Sequence, residues 1–439
     1  MRVIPFFSRC SRGRWIWPVG LAGAIILGAF FRLVWGMDIE YKRDEILIFQ
    51  QTQEVGRTES FPWLGMRSSV MLRNPGMSVW VFLLLAKLLG AQDPPALARG
   101  VQILNLGAIG LLTLFTIRVV PTQEREPWLW AVALASVNPL AVLFQRKIWP
   151  PSVLPILTML FLLGWWHRQR GWGAFLWGGV GACLGQIEMA EFFFTAGFVA
   201  WAMLFDRKRV AWVGWLGGSV VGTLPLIPWF GHLFTEIGNR PIPMKWSRLF
   251  EFKFWTHWAT EPFGIGLKYA LGENFADFIA FPVIQGRATY FVGLLHLLII
   301  LLAAAAFVRV TCLLWRSPQR WRDLLIGRDS NTALTLNAAV LGFGVLFTAS
   351  GLPFHRHYLV GTFPLMYVWL ARIVLDPSEK HPKGAKAARA LLGAVCVLEA
   401  LLSAAFLSYI HVNHGASHGG YGIAYGAQEG AIRLRVRDD

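Results

Sequence analysis

Apolar stretches long enough to cross a lipid bilayer recur along this chain from Trp15 to Ile410. Of its 439 residues 55% are hydrophobic and 15% are charged, against about 25% charged residues in soluble domains. A bilayer offers the backbone no hydrogen-bond partners, so such stretches cross it as helices. The sequence therefore predicts an all-α polytopic membrane protein. The 22 tryptophans agree with this prediction, because indole rings favour the membrane interface.

The formal net charge of +16 is not concentrated in one exposed stripe, so no nucleic-acid partner is expected. The basic residues instead punctuate the apolar stretches, as positive charges on the cytoplasmic side of membrane proteins do. We expect these clusters inside, in contact with membrane lipids. They lie at residues 168–170, 207–209, 316–328 and 380–389.

Keeping those clusters inside requires about eleven spans, with the amino terminus inside and the carboxyl terminus outside. We find no internal repeat and expect one membrane domain over residues 1–439. The predicted spans are approximately 15–37, 98–118, 127–145, 152–167, 172–187, 189–205, 210–231, 288–314, 332–350, 354–374 and 389–411.

Two long loops and a tail, residues 412–439, fall on the exoplasmic side. The first loop, 38–97, contains an apolar helix near 76–90 that we expect to lie on the membrane, with Asn74-Pro75 as its cap and first turn. The second loop, 232–287, is rich in aromatic residues. These fit either sugar stacking or an interfacial helix, and our interpretation is membrane contact. The aromatic residues are Trp246, Phe250, Phe252, Phe254, Trp255 and Trp258.

Two adjacent carboxylates, Asp44 and Glu45, follow the first span. The amphipathic segment 46–55 behind them holds the pair at the membrane surface. By themselves these residues leave two interpretations open. One is an ordinary solvated pair on a loop, and the other is a catalytic pair.

An acidic pair that opens a helix in the first exoplasmic loop resembles the GT-C glycosyltransferases. The similarity is strongest to the protein O-mannosyltransferase family and the bacterial lipid A aminoarabinose transferases. The family often has histidine where this chain has Glu188, which is a departure. The other stretches similar to this family are Arg73-Asn74-Pro75, Gln145-Arg146-Lys147-Ile148-Trp149, Gly185-Gln186-Ile187-Glu188, His355-Arg356-His357-Tyr358-Leu359, Phe363-Pro364-Leu365 and the tail segment 420–425.

The resemblance implies a GT-C-type helical bundle and a sugar donor on polyprenyl phosphate. The acceptor stays open between protein, lipid and glycan. In a one-step inverting displacement the acceptor hydroxyl attacks the sugar and the lipid phosphate leaves as a stable anion, so one general base is enough. By match to the family motif Asp44 is that base, and Glu45 orients acceptor or sugar. The implied location is the outer side of a bacterial or archaeal cytoplasmic membrane.

A departing phosphate needs fixed cations. Arg146, Lys147 and Arg356 are candidates because all three lie at predicted outer helix ends, and Arg73 is a further one. Snorkelling to the membrane interface is the alternative for each of them.

The polar residues around Arg356 are candidate substrate ligands. We expect His355, His357 and Tyr358 to contact phosphate or sugar. Two histidines at i, i+2 without a third ligand are a weak metal signal, so no metal or other cofactor is assigned and a divalent cation stays an alternative.

Carboxylates in apolar stretches suggest function. We expect Glu188 to bind a sugar hydroxyl or to assist with a divalent ion. The alternative is a helical-hairpin turn in which Glu191 pairs with a basic residue, and the role of Glu191 is open. Glu399, alone in the last span, predicts a hydrogen bond between helices.

A transporter or flippase of a lipid-linked saccharide is the alternative function. It would use Glu188, Glu191 and Glu399 as an ion relay. It also predicts inverted repeats and helices broken at the membrane midplane, which the sequence does not show clearly. Asp44 and Glu45 would then have no role, so we favour the glycosyltransferase.

Overall fold

The computed structural model describes residues 16–58, 60–67, 72–237, 247–248, 251–315, 330–375 and 382–429. The predicted basic cluster 316–328, the start of the cluster 380–389, Trp246 and Phe250 lie outside these ranges. Within them the chain is helical apart from three small antiparallel hairpins and one isolated bridge.

The α-helices, with their bounds, are α1 Ile16–Leu33, α2 Arg43–Glu54, α3 Met77–Leu89, α4 Pro94–Arg118, α5 Arg125–Val137, α6 Pro139–Phe144, α7 Leu154–Trp166, α8 Gly171–Ile187, α9 Glu191–Phe205, α10 Trp212–Thr223, α11 Ile227–Ile237, α12 Lys253–Thr260, α13 Lys268–Leu271, α14 Phe275–Ala280, α15 Phe291–Trp315, α16 Asn331–Asn337, α17 Gly344–Ala349, α18 Leu365–Leu375 and α19 Pro382–Val412. A π-helix, Ala338–Phe343, joins α16 to α17. Short 3₁₀ helices lie at Thr122–Glu124, Pro150–Val153, Arg207–Arg209, Leu224–Leu226, Glu261–Phe263, Ile265–Leu267, Gly272–Asn274 and Arg356–Thr362. The hairpin strands are β1 Leu64–Arg67 with β2 Arg73–Pro75, β3 Val283–Ile284 with β4 Arg287–Ala288, and β5 Gly415–Ala416 with β6 Gly422–Ile423.

Several described helices are long and apolar enough to cross a membrane, so this is an integral multi-pass membrane protein and the predicted all-α class is confirmed. Five helices qualify alone, and a sixth candidate is the segment Arg356–Thr362 with Leu365–Leu375, bent by 80°. The total of about eleven spans and the orientation stay predictions. The five are Pro94–Arg118, Trp212–Thr235, Phe291–Cys312, Asn331–Ala349 and Pro382–Val412, and shorter apolar helices are Pro18–Leu33, Met77–Leu89, Pro150–Trp166 and Glu191–Phe205.

The predicted span 354–374 is bent rather than one straight helix. The chain makes a 3₁₀ turn over Arg356–Thr362, and α18 begins only at Leu365. Pro364 lacks an amide hydrogen and disfavours helical geometry in the residue before it, so the two pieces have different axes. Arg356 therefore lies in a compact turn ahead of the helix.

The helix predicted near 76–90 exists as α3, but its predicted cap is wrong. Asn74 and Pro75 belong to strand β2, where Pro75 pairs with Leu64. Gly76 precedes the helix and packs closely against the hairpin, since a Cβ there would lie 2.6 Å from the Trp63 carbonyl oxygen. Thirteen residues span only about 20 Å, which is shorter than the bilayer core.

The predicted span 127–145 is interrupted at Asn138, between α5 and α6. The Asn138 side chain accepts hydrogen bonds from the amides of Leu140 and Ala141, which caps α6. Its own amide group donates to Glu399 Oε1 over 2.6 Å. The predicted hydrogen bond from Glu399 between helices is thereby confirmed, and it fixes α19 against this break.

The interpretation of the second loop as a membrane-contacting surface is wrong for its central aromatic residues. Phe254 and Trp258 lie on α12 and are only 1% and 2% exposed. Phe254 packs on Phe343 and Phe354, with ring centroids 5.1 and 5.4 Å apart. The loop folds into the core beneath the Arg356 turn, whereas Phe252 is exposed.

Candidate active site

Five separate parts of the chain meet next to the start of α2. They are the segment before α2, the segment after α6, helix α13 of the second loop, the Arg356 turn and the tail. Four of these parts carry stretches that the sequence singled out. The contacts that join them are Glu40 with Lys147, Tyr41 with Tyr425, Phe144 with Tyr269, Trp149 with His357, and Arg356 with Tyr269.

The tail binds the backbone of the segment before α2 in a strand-like pairing. Glu40 and Ala424 form an antiparallel bridge, and the Tyr421 hydroxyl donates to the carbonyl of Asp38. Three further hydrogen bonds are Tyr425 N to Ile39 O at 3.1 Å, Gly426 N to Met37 O at 2.9 Å and Gln428 Nε2 to Tyr41 O at 2.9 Å. The tail therefore determines where the residues that lead into α2 lie.

Asp44 and Glu45 occupy the first turn of α2, where negative charge favours the helix dipole. Glu45 is 2% exposed and its carboxylate accepts a hydrogen bond from the Lys42 amide at 3.3 Å, as an acidic residue at the third helical position can. Asp44 is partly exposed, and within the described residues its carboxylate has no hydrogen bond or ion pair. One carboxylate therefore supports the helix start and the other faces the surface unpaired.

The environment of Glu45 also changes its acidity. Burial raises the pKa of Glu45 to about 7, and although Lys147 lowers it, the nearby carboxylates of Glu40 and Asp44 raise it further. A proton on Glu45 is therefore exchanged close to neutral pH.

Lys147 forms a buried ion pair with Glu40, a residue that the sequence reasoning missed. The distance from Lys147 Nζ to Glu40 Oε2 is 2.5 Å. Burial lowers the pKa of Lys147, but the charges of Glu40 and Glu45 outweigh burial and leave it raised. The ammonium also lies 4.9 Å from the centroid of the Trp149 ring, within cation–π range.

Arg146, next to Lys147 in sequence, has a different environment. Its guanidinium donates to the carbonyls of Phe31 at 2.6 Å, Val34 at 2.8 Å and Trp35 at 3.1 Å. These are carbonyls at the end of α1, which lack partners within the helix. The structure thus gives Arg146 a backbone-capping position and leaves Lys147 as the cation beside Glu45.

Arg356 is held by the second loop. Its Nε lies 3.2 Å from Glu261 Oε1, and its Nη1 donates to the carbonyl of Gly266 at 2.7 Å. A Cβ on Gly266 would collide with the guanidinium at 1.3 Å, so glycine is required there for this position of Arg356. The guanidinium lies 5.9 Å from the Tyr269 ring centroid. Tyr269, 47% exposed, was also missed by the sequence reasoning.

An apolar crevice begins beside Arg356 and Glu261 and runs between α6 and α18. Its interior volume is about 30 Å³. Arg356 and Glu261 make one end of the crevice polar, whereas its walls are apolar. The apolar lining residues include Leu140, Phe144, Leu359, Phe363 and Met366.

The three residues predicted as ligands around Arg356 point in different directions. His357 faces the segment after α6, and its ring centroid lies 4.7 Å from that of Trp149. Tyr358 is 8% exposed and packs in the core against Phe347. His355 stacks on His357 at 5.5 Å. Of the three, His357 lies closest to the site, and its contact is with an aromatic wall.

Glu188 and Arg73 are not joined to this group. Within the described residues no hydrogen bond or ion pair links either side chain to Lys147 or Arg356. Glu188 is half-buried after α8, while Arg73 is exposed in strand β2. Their expected roles stay predictions.

Glu191 is fully buried against Gly361, where a Cβ would lie within 2.1 Å of its carboxylate. Both carboxylate oxygens lack hydrogen-bond partners among the described residues, and no basic side chain there pairs with it. The alternative of a Glu191 ion pair is therefore not what the structure contains.

No group of three His, Cys, Asp or Glu side chains among the described residues is arranged to hold a metal ion.

No family model matches the chain, and no curated protein matches it. One similar solved structure is the apo oligosaccharyltransferase of Archaeoglobus fulgidus, with 12% identity, a TM-score of 0.49 and 91% of this chain covered. Another is ArnT from Cupriavidus metallidurans bound to undecaprenyl phosphate, with 14% identity, a TM-score of 0.47, and 92% of this chain and 80% of that chain covered.

This chain spans 56% of the length of the archaeal protein. At these identities and TM-scores the similarity is limited to the overall path of the backbone.

Proposed function

We propose that this protein is an inverting glycosyltransferase that moves a sugar from a polyprenyl-phosphate carrier to an acceptor on the exoplasmic side of the membrane. The observation that carries the proposal is a site in which the unpaired Asp44 adjoins the buried Glu45, while Glu45 also feels the charge of the fixed cation Lys147. Base and cation are the two parts that this displacement needs. The sequence resemblance to GT-C enzymes supports the donor class.

Asp44 is the base in this proposal. Its carboxylate takes the proton from the acceptor hydroxyl while the new oxygen–carbon bond forms at the sugar. The bond from the sugar to the phosphate oxygen breaks, and its electron pair leaves with the polyprenyl phosphate. A positioned base of this kind contributes roughly 10²–10⁴-fold to the rate.

Lys147 and Arg356 receive the negative charge of the phosphate. Both lie near Tyr269: the charges of Lys147 and Arg356 act on its hydroxyl, and the Arg356 guanidinium is 5.9 Å from its ring centroid. Each cation has its own carboxylate partner, so its position is fixed before the donor binds.

The experiment is a panel of polyprenyl-phosphate sugars offered to the purified protein, in detergent and in liposomes. Release of polyprenyl phosphate, together with sugar on an acceptor, supports the proposal. A flippase would carry the lipid-linked sugar across the liposome membrane and release no polyprenyl phosphate. The flippase is tested as well because Glu191 is buried and its carboxylate has no hydrogen-bond partner among the described residues.

A further inference from the structure

Glu40 is a buried carboxylate between two ammonium groups. Its Oε2 lies 2.5 Å from Lys147 Nζ, and its Oε1 lies 2.9 Å from Lys42 Nζ. The side chains of Glu40 and Lys147 are 2% and 8% exposed, whereas Lys42 is 45% exposed. Buried ions need close partners because they have lost their water. The three groups together carry one excess positive charge.

The position of Glu40 comes from the tail. The bridge to Ala424 and the flanking hydrogen bonds at Ile39 and Tyr41 hold the backbone on both sides of Glu40. The side chain is thereby directed at Lys147, which enters from the segment after α6. The tail thus fixes the backbone of Glu40, and the Glu40 carboxylate in turn contacts the Lys147 ammonium.

Lys147 depends on this carboxylate for its charge. Its neighbours Phe144 and Trp149 are aromatic, and a buried lysine in apolar surroundings tends to lose its proton. Within the described residues Glu40 is its single ion-pair partner. The other titratable groups that face it are Glu45, Tyr269 and His357, with Lys42 across Glu40.

We propose that Glu40 is a positioning residue. It keeps Lys147 charged and holds the ammonium where it binds the phosphate of the lipid donor, without touching that donor itself. An ammonium has three hydrogens, so donors remain for phosphate while one stays with Glu40. Lys42 offsets the carboxylate charge that would otherwise repel the phosphate. The nature of the ligand rests on the proposed function, whereas the charge of Lys147 is measurable without any transfer.

The test is the pH dependence of binding of undecaprenyl phosphate to the purified full chain, compared with Glu40→Gln. Binding by the wild type should be lost only at high pH, where Lys147 gives up its proton. In Glu40→Gln we expect this midpoint to fall by about one to three pH units, the effect of an opposite charge at close range. In Lys147→Met the loss of binding at high pH should no longer be seen. This result would assign that pH-dependent transition to Lys147.

Two variants serve as controls. Lys42→Gln keeps the Glu40–Lys147 pair and removes a like charge across Glu40, so its midpoint should not fall. Glu40→Asp keeps the charge but lengthens the distance to Lys147, so its midpoint should fall by less than in Glu40→Gln. It replaces Glu40→Gln if that variant does not fold. A merely structural role would lower binding equally at all pH values and leave the midpoint in place.

An unchanged midpoint in Glu40→Gln overturns the inference, and so does a wild type that fails to bind the probe at any pH. A wild type that binds with the expected pH dependence but transfers no sugar leaves the Glu40 inference standing and removes the proposed function.

Discussion

At the scale of single residues, neighbours in sequence have very different environments. Asp44 faces the surface unpaired while Glu45 is buried, and Arg146 caps α1 while Lys147 pairs with Glu40. The sequence predicted the acidic pair and the basic pair as groups. The resemblance gave Asp44 and Glu45 different roles, but the residues alone could not separate the members of either pair, because the direction of a side chain depends on the tail and loops that pack on it.

Glu45 makes stability depend on pH. Its pKa of about 7 in the folded protein is above the value of 4.5 in the unfolded chain, so the folded state holds the proton more tightly. The contribution of Glu45 to stability should therefore be full below about pH 4.5 and should be lost as pH rises through about 7. Thermal unfolding of the wild type and Glu45→Gln at pH 5 and pH 8 tests this. We expect Glu45→Gln to lose less stability over that interval, and parallel losses would contradict the assignment.

Gly266 permits the position of Arg356. In Gly266→Ala the new methyl group meets the end of the guanidinium, which can move aside, so the protein should fold but hold Arg356 elsewhere. We expect a rise in KM for the donor of about tenfold, equivalent to about 1.4 kcal/mol. Gly110→Ala, where the added Cβ meets nothing within 4 Å, is the matched control. Equal KM values for both variants would mean that Arg356 does not bind donor.

At the scale of helices and turns, hydrogen bonds to helix ends show which polar side chains have a structural role. Arg146 bonds the last carbonyls of α1, and Asn138 caps α6 and holds Glu399. Apolar periodicity predicted most helices, including the short α3. It missed the hairpin before α3 and the turn before α18, because those depend on Pro75, Gly76 and Pro364 and on partners distant in sequence.

Arg146 and Arg356 should therefore respond differently to substitution. Arg146→Met leaves several buried carbonyls of α1 without a donor and should cost about 2–4 kcal/mol of stability. Arg356→Lys keeps a charge beside Glu261 and should reduce transfer with little change in stability. Chemical denaturation in detergent, with transfer measured in parallel, checks both. An Arg146→Met protein as stable as the wild type but inactive would place Arg146 on the substrate instead.

At the scale of the whole molecule, the site is assembled from residues far apart in the chain. Gln428 bonds Tyr41 across 387 positions of sequence, and the tail reaches the site directly after α19. Sequence similarity pointed to the tail without indicating what it contacts. Glu40 and Tyr269 were missed for the same reason, since their importance comes from distant partners and from no local pattern.

Removal of the tail after Asn413 should leave the helices able to insert but release the segment before α2. We expect loss of transfer of at least about 100-fold, because a small misplacement of reacting groups is enough for such a loss. Limited proteolysis should then cut near residues 37–43, which the tail protects in the intact protein. An unchanged cleavage pattern with full activity would show that the tail does not hold this segment.

The central claim is that Asp44 is the base of a sugar transfer from polyprenyl phosphate. The most direct measurement is single-turnover release of polyprenyl phosphate by the wild type, Asp44→Asn and Glu54→Gln, a carboxylate at the other end of α2. The proposed mechanism predicts a loss of about 10²–10⁴-fold in Asp44→Asn alone, with donor binding intact. Equal release by all three proteins would contradict it.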